Sequence, residues 1–234
     1  MDEYILHLET SSTICSVAIS KGPSIVSLKE LNEGYTHAEN LHEFVDACIQ
    51  SGGISMNQLN AISVSKGPGS YTGLRIGVSA AKGYAVALNI PLLAVNTLLI
   101  LANHAKSKSS KNGSCFVPMI DARREEVFCA IFDSSMNVKK ETCALILSEE
   151  NTNFFPTDQH FYFFGSGAEK ARKYLEKYNA EFLEGIEPSA KLMVEPALNK
   201  FRDSDFEDTA YFEPFYLKEF FSTAKLVKLP DQKE

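Results

Sequence analysis

The run Glu9-Thr10-Ser11-Ser12-Thr13 gathers one carboxylate and four hydroxyls into a short turn between two apolar segments. Backbone N–H groups and hydroxyls in such a turn can cup a phosphate, and the same residues can equally form a plain polar hairpin tip. A second candidate is Gly67-Pro68-Gly69-Ser70, placed ahead of a helical pattern whose N-terminus can hold an anion. Its spacing is not G-x-G-x-x-G, no G-K-S/T follows, and Pro68 removes one N–H donor. Glu9 and Asp121 each end an apolar run, where a carboxylate can bind magnesium beside phosphates or accept hydrogen bonds from its own turn. Asp121-Ala-Arg-Arg-Glu-Glu reads as a charged hairpin tip, with an interaction surface as the alternative. The histidines are His7, His37, His42, His104 and His160. His37 and His42 stand five apart, about 140° around a helix, so they do not form a ligand pair on one face. No G-x-S-x-G is present and Ser70 has no evident base. Taken one at a time, these residues make no catalytic constellation, and no metal site is expected.

The elements that must position them follow from periodicity and breakers. Residues 4–9, 15–20 and 24–31 read as strands, and 36–51 as a helix ended by Gly52-Gly53. A strand at 61–66 then meets the Gly-Pro-Gly turn, and a helix runs to Leu88, stopped by Asn89 and Pro91 before a strand begins at Leu92. Strand, glycine turn, helix and strand make a crossover unit of an α/β sheet. That helix has two apolar stripes. Leu74, Val78, Ala81, Ala85 and Leu88 line one face, while Gly73, Gly77, Ala80, Tyr84 and Ala87 line the next; Arg75, Ser79 and Lys82 make a narrow polar stripe. A helix on the outside of a sheet needs one apolar stripe. The second is read as a subunit interface, or as contact with neighbouring elements of the same chain.

The pattern restarts after a polar segment at 106–113. ILHLETSSTICSVAI laid over VPMIDARREEVFCAI, at an offset of 112, places Glu9 over Asp121, Val17 over Cys129, Ala18 over Ala130 and Ile19 over Ile131. Residues 161–164 enter Gly165-Ser166-Gly167 and a helix at 168–178, an echo of the first glycine turn. A duplicated domain is therefore expected, divided into 1–105 and 106–234, with the last helix or tail a candidate to return to the first lobe. Pro196 should break or kink a helix at 189–202, and 222–234 reads as a loose tail. The net charge is −7; residues 1–105 carry 5 basic and 8 acidic side chains and the remainder 18 and 22, so neither half offers a field for strong direct binding of nucleic acid. Five scattered cysteines without C-x-x-C fit reduced thiols in a reducing cytoplasm. The N-terminus shows no signal-peptide pattern, and the longest apolar run, 90–102, is too short to span a bilayer.

The string Ser65-Lys66-Gly67-Pro68-Gly69-Ser70-Tyr71-Thr72-Gly73-Leu74-Arg75-Ile76-Gly77 resembles the bacterial TsaB (YeaZ) family, a subunit of the machinery that makes threonylcarbamoyladenosine in tRNA. Ala81-Lys82-Gly83, Ile90-Pro91-Leu92, Glu9-Thr10-Ser11 with Cys15-Ser16-Val17-Ala18, and 120–128 add to the resemblance, as does Pro214-Phe215-Tyr216-Leu217 more weakly. It implies an α/β fold of the actin/sugar-kinase/Hsp70 (ASKHA) type, with two duplicated ribonuclease-H-like lobes of mixed sheets flanked by helices. It implies a non-catalytic scaffold for TsaD, which transfers the threonylcarbamoyl group to N6 of the anticodon-loop adenosine. The H-x-x-x-H metal pair of TsaD is absent from this sequence, and Glu9 stands where the family carries Asp. No cofactor of its own is then expected, ATP, magnesium and metal belonging to the partner subunits. The implied partners are TsaD, the ATPase TsaE docking on the pair, and a second copy when the chain is alone, with tRNA reached only through the complex. The helices implied to dock are 36–51 and 71–88, and the expected contact residues are Leu41, Val45 and Cys48 on the first and Gly73, Gly77, Ala80, Ala81, Tyr84 and Ala87 on the second. Glu9, Thr10, Ser11, Gly67, Gly69 and Asp121 are the candidate vestigial nucleotide or phosphate site. An ATPase or kinase built on that site is the alternative function, a metallopeptidase-like protein a weaker one.

Overall fold

A computed structural model describes residues 3–34, 36–109, 113–153, 155 and 158–217. Strand β1 (Tyr4–Glu9) alternates two buried sets of side chains. Leu6 and Leu8 face a core shared with two helices, while Ile5 faces a core on the other side of the sheet, and His7 and Glu9 share its face by the two-residue period. β1 pairs antiparallel with β2 (Cys15–Lys21), which pairs with β3 (Ser24–Leu31), and parallel with β4 (Ala61–Gly67), which pairs with β5 (Leu92–Asn96). The sheet order is β3-β2-β1-β4-β5. Helices α1 (His37–Gly52) and α2 (Tyr71–Leu88) cover the Leu6–Leu8 face.

The second sheet repeats this plan. It consists of β6 (Cys115–Asp121), β7 (Glu126–Phe132), β8 (Val138–Ile146), β9 (Phe161–Phe164) and β10 (Ala180–Leu183), ordered β10-β9-β6-β7-β8, with β6 antiparallel to β7 and parallel to β9. One helix, α4 (Ala168–Leu175), lies on its outer core. Between β8 and β9 the described residues form turns, where the first lobe has α1 between β3 and β4. The halves interlock. Helix α3 (Thr97–Lys108), from the first half of the chain, places Leu98, Leu101, Ala102 and Ala105 in a core with Phe116, Phe132 and Phe164 of the second sheet. Helix α5 (Val194–Arg202) and the preceding 3-10 turn Ala190–Met193 pack Ala190, Met193, Ala197 and Leu198 against Ile5, Ala18 and Leu93 of the first.

Breakers act where sequence places them, with instructive exceptions. Asn89 ends α2 in the left-handed region (φ 53°), and Ser70 caps its start by accepting from Gly73 N–H. α3 runs on to Lys108, into the segment expected to link the halves, and α4 stops at Leu175 rather than 178. Pro196 breaks nothing: it is the third residue of α5, in the first turn, where a missing N–H has no helical partner to lose. The discontinuity falls earlier, where the 3-10 turn hands over to α5. Residues 222–234 lie outside the described residues. The segment 203–217 lies back on the first lobe: Glu207 N donates to Leu92 O at 2.9 Å and Phe215 N to Lys66 O at 2.7 Å, while Lys82 Nζ donates to the carbonyls of Ala210 and Phe212.

Candidate functional site

The first lobe brings Glu9, Thr10, Ser11, Gly67 and Gly69 together and then fills the space between them. Ser70 N, at the N-terminus of α2, donates to Ser11 O at 2.7 Å, and Thr10 Oγ1 donates to Gly73 O at 2.8 Å. The glycines exist for this contact. A Cβ at Gly69 would sit 2.4 Å from Ser11 O, at Gly73 2.1 Å from Thr10 O and at Gly77 2.2 Å from Thr10 Oγ1. The helix end that could cradle a phosphate is thus occupied by the chain's own carbonyl. Gly67 is closed in from elsewhere, a Cβ there falling 2.9 Å from Phe215 O, so neither Gly67 nor Gly69 offers the open anion cradle read from the sequence.

Glu9 is 0% exposed. Its Oε1 accepts from Ser11 N at 2.6 Å, and its Oε2 has no hydrogen-bond partner among the described residues. Burial pushes its carboxyl up to about 7, against the opposing pull of Ser11 and Ser65. His7, two residues earlier on the same face, is pushed down to about 3 by burial, and its Nε2 meets Ser20 Oγ at 2.9 Å. A magnesium ligand beside phosphates must be ionised and open to the ion. Glu9 is sealed and holds its proton up to near-neutral pH, so the residues present do not fit a nucleotide–magnesium pair.

Asp121 does not join this site. In the first sheet Leu8 pairs with Val17 and Glu9 with Ser16; in the second, Met119 pairs with Cys129 and Ile120 with Phe128. The offset of 112 holds for β2 and β7, so the residue that stands where Glu9 stands is Ile120, not Asp121. The overlay slips by one residue because positions 10–15 separate Glu9 from Ser16, whereas positions 121–127 separate Ile120 from Phe128. A slip of one residue turns a side chain to the opposite face. Asp121 therefore points toward α4, where Lys170 Nζ donates to it at 2.7 Å and Arg123 N at 2.6 Å. Its carboxyl is partly buried, which pushes it up, but the Lys170 ammonium and the Arg123 N–H outweigh this and hold it below its ordinary value.

The expected docking residues divide into two groups. Leu41, Val45, Cys48 and Ala81 are fully buried in the chain's own core, and Gly73 and Gly77 are buried under Thr10. These six cannot meet a partner without opening the lobe, and the reading of them as contacts is corrected: the small residues make room for the chain's own hairpin. Ala80 and Tyr84 are half-buried and Ala87 is exposed. Tyr84 OH meets His42 Nδ1 of α1 at 2.7 Å. Beside them, Thr72, Ser79, Gly83 and Val86 (70%) are exposed and Ile76 is half-buried, so the outer face of α2 carries a strip without a charged side chain. Sequence reasoning missed this strip, although its signal is present: 72, 79 and 86, 76 and 83, and 80 and 87 are each seven apart, the spacing of one helix face. Arg75 and Lys82 border it on one side and are held by segment 203–217, Arg75 donating to Tyr216 OH at 3.2 Å. The exposed Glu39, His42, Glu43 and Asp46 of α1 lie on the helix that borders its other side.

Two sheets of one strand order, joined by interlocking helices, define the class of two-lobed ribonuclease-H-like proteins to which actin, sugar kinases and Hsp70 belong. The family described as "TsaD: tRNA N6-adenosine threonylcarbamoyltransferase" matches residues 34–218, and the chain belongs to this family, within which it groups with the TsaB (YeaZ) proteins. It is 34% identical over 134 residues to the tRNA threonylcarbamoyladenosine biosynthesis protein TsaB of Escherichia coli, covering 57% of this chain and 56% of that one. To the TsaB of Haemophilus influenzae it is 32% identical over 124 residues, covering 53% and 51%. The chain spans about half the length of the curated relatives it matches. YeaZ from Pseudomonas aeruginosa superposes with a TM-score of 0.77 at 25% identity, over 92% of this chain and 100% of that one. Among the described residues no helix is long and apolar enough to cross a membrane.

Proposed function

We propose that this chain is a non-catalytic subunit in the synthesis of threonylcarbamoyladenosine in tRNA, and that it acts by docking onto a TsaD-type transferase. The observation that carries the reading is the uncharged strip of α2, with Val86 exposed at its outer edge and Ala80, Tyr84 and Ala87 beside α1. Burying such a strip supplies apolar area at roughly 25 cal/mol per Å², and small side chains let a partner helix approach closely. The filled helix N-terminus and the sealed Glu9 support a subunit that leaves nucleotide chemistry to its partners. The acidic edge of α1 favours a partner with basic side chains opposite it, and tRNA, itself an anion, is reached through the complex. TsaE joins on the assembled pair, and the same strip pairs two copies when the transferase is absent.

The test is Val86→Glu, on a side chain that supports no core. Affinity for the TsaD-type transferase, read by sedimentation or titration calorimetry, should fall at least about 30-fold, or roughly 2 kcal/mol, while the far-UV spectrum and melting temperature stay unchanged. Undiminished affinity would overturn the docking face. Calorimetry of the isolated chain with ATP and magnesium should be silent, and micromolar binding would favour an ATPase instead. Ala81→Glu is no test, because Ala81 is 0% exposed and the change would unfold the lobe.

A further inference from the structure

The second lobe differs from the first in having turns, rather than a helix, between β8 and β9 among its described residues. In the first lobe α1 lies across β2 and β3, and its Cys48 thiol donates to Val17 O at 3.4 Å. Cys129 stands in the second lobe where Val17 stands in the first, and its cross-strand neighbour is Cys143 of β8, where the first lobe pairs Val17 with Lys29. The two sulfurs are 3.9 Å apart. Cys129 is buried, whereas Cys143 is half-buried and keeps some exposure. Directly opposed residues of an antiparallel pair hold their Cα atoms about 4.5–5.5 Å apart, inside the window of about 4.4–6.8 Å that a disulfide accepts. Rotation about the side-chain bonds is then enough to bring the sulfurs into bonding distance.

We infer that Cys129 and Cys143 form a dithiol site that reacts with low-molecular-weight disulfides and closes to a cross-strand disulfide between β7 and β8. The Cys143 thiolate, the more accessible of the two, attacks one sulfur of the disulfide, forming a mixed disulfide and expelling one thiolate. Cys129, losing its proton to the expelled thiolate or to water, attacks the Cys143 sulfur and expels the second. The protein is oxidised by two electrons and the small disulfide is reduced to two thiols. The hydrogen bond between the sulfurs favours this order, since it pulls the Cys143 thiol down and pushes Cys129 up. The other three cysteines are buried, and burial raises each thiol. Bonds of this kind in a reducing compartment are transient rather than structural.

The full chain, reduced and then equilibrated in glutathione buffers of increasing glutathione disulfide fraction, is quenched in acid, alkylated and mapped by mass spectrometry. Two of the five thiols should vanish together, with a mass loss of about 2 Da and a peptide crosslinked through Cys129 and Cys143. Dithiothreitol should restore both. Cys143→Ser should leave Cys129 fully reduced and uncrosslinked, and Cys143→Ala, with an unchanged melting curve, repeats this should the serine perturb the strand. A glutathione adduct that persists on Cys143, a crosslink between two chains, or retention of all five thiols in pure glutathione disulfide would overturn the inference.

Discussion

Gly73 and Gly77 of α2 stand where α4 carries Ala171 and Leu175, counting each helix from its glycine turn, Gly67 to Gly69 in one lobe and Gly165 to Gly167 in the other. In the first lobe the β1–β2 turn is pressed into the helix, Thr10 covering both glycines. In the second lobe the β6–β7 turn stays outside, where Arg123 and Arg124 both adopt positive φ and are exposed, and Ala171 and Leu175 fill a core of their own. Two lobes of one topology thus use their first hairpin in opposite ways. In both lobes the N–H of the helix N-cap donates to a carbonyl of the first hairpin, Ser70 N to Ser11 O and Gly167 N to Met119 O, but only the first hairpin carries its turn into the core. The other is surface and holds a carboxylate over Lys170.

The largest break in this comparison is Gly73→Ala. Its Cβ would lie 2.1 Å from a backbone oxygen, which a rotamer change cannot relieve, so we expect a loss of about 3 kcal/mol or more in urea unfolding. The mirror change, Ala171→Gly, introduces no clash and should cost about 1 kcal/mol of helix propensity, plus the lost methyl packing. Gly83→Ala, on the same helix as Gly73 but with nothing within 4 Å of the new methyl, should stabilise by about 0.5–1 kcal/mol. Equal costs for Gly73→Ala and Ala171→Gly would mean that the two hairpins are used alike.

The next effect is electrostatic. Folding raises Glu9 from 4.5 to about 7, so the folded chain binds the extra proton between these values and loses stability as pH climbs through them. His7 falls from 6.5 to about 3, so the unfolded chain binds the extra proton and the fold gains stability as pH rises from about 3 to 6.5. The two slopes oppose each other from 4.5 to 6.5 and cancel, which leaves a flat interval from this pair. Glu9→Gln removes one of them. Chemical denaturation across pH should then show stability still rising to pH 6.5 at about 1.4 kcal/mol per unit, and a gain over wild type of about 1–2 kcal/mol at pH 8, part of the relief being offset by the new amide. A gain absent at pH 8 would mean that Glu9 is ionised in contact with water.

Local structure was legible where chemistry punctuates the chain. Gly67-Pro68-Gly69 and Asn89 with Pro91 bracket α2, and β1 and β3 have the bounds read from the sequence. The duplicated topology was visible in the echo of the glycine turns. Pairing over long sequence distance was not. Small residues along a helix announce a close approach without saying by what, and here the visitor is Thr10, 63 positions before Gly73. The overlay of Glu9 on Asp121 failed for a related reason: apolar strands superpose well in more than one register, and only the strand pairings reveal the extra residue in the second hairpin. The Cys129–Cys143 pair depends on the β7–β8 register, which shifts just beyond it, and an odd set of scattered cysteines holds no trace of it.

The smallest effect is the most discriminating. Asp121 is held below its ordinary 3.8, so its contribution is present above that value and disappears as pH falls through the lowered one. It is half-exposed and paired with Lys170, a geometry that supplies less than about 1 kcal/mol and is weakened by salt. Asp121→Asn should therefore destabilise slightly at pH 7, by an amount that shrinks in 1 M salt and is gone once acid has protonated the carboxyl in the folded chain. Glu9→Gln should do the reverse, with a gain at high pH that salt leaves alone because the group is sealed from solvent. If the two acids were copies of one strand-end ligand, their neutral replacements would shift stability with one sign. Opposite signs follow directly from the one-residue difference between the hairpins, because that residue decides which face of its sheet each carboxylate reaches.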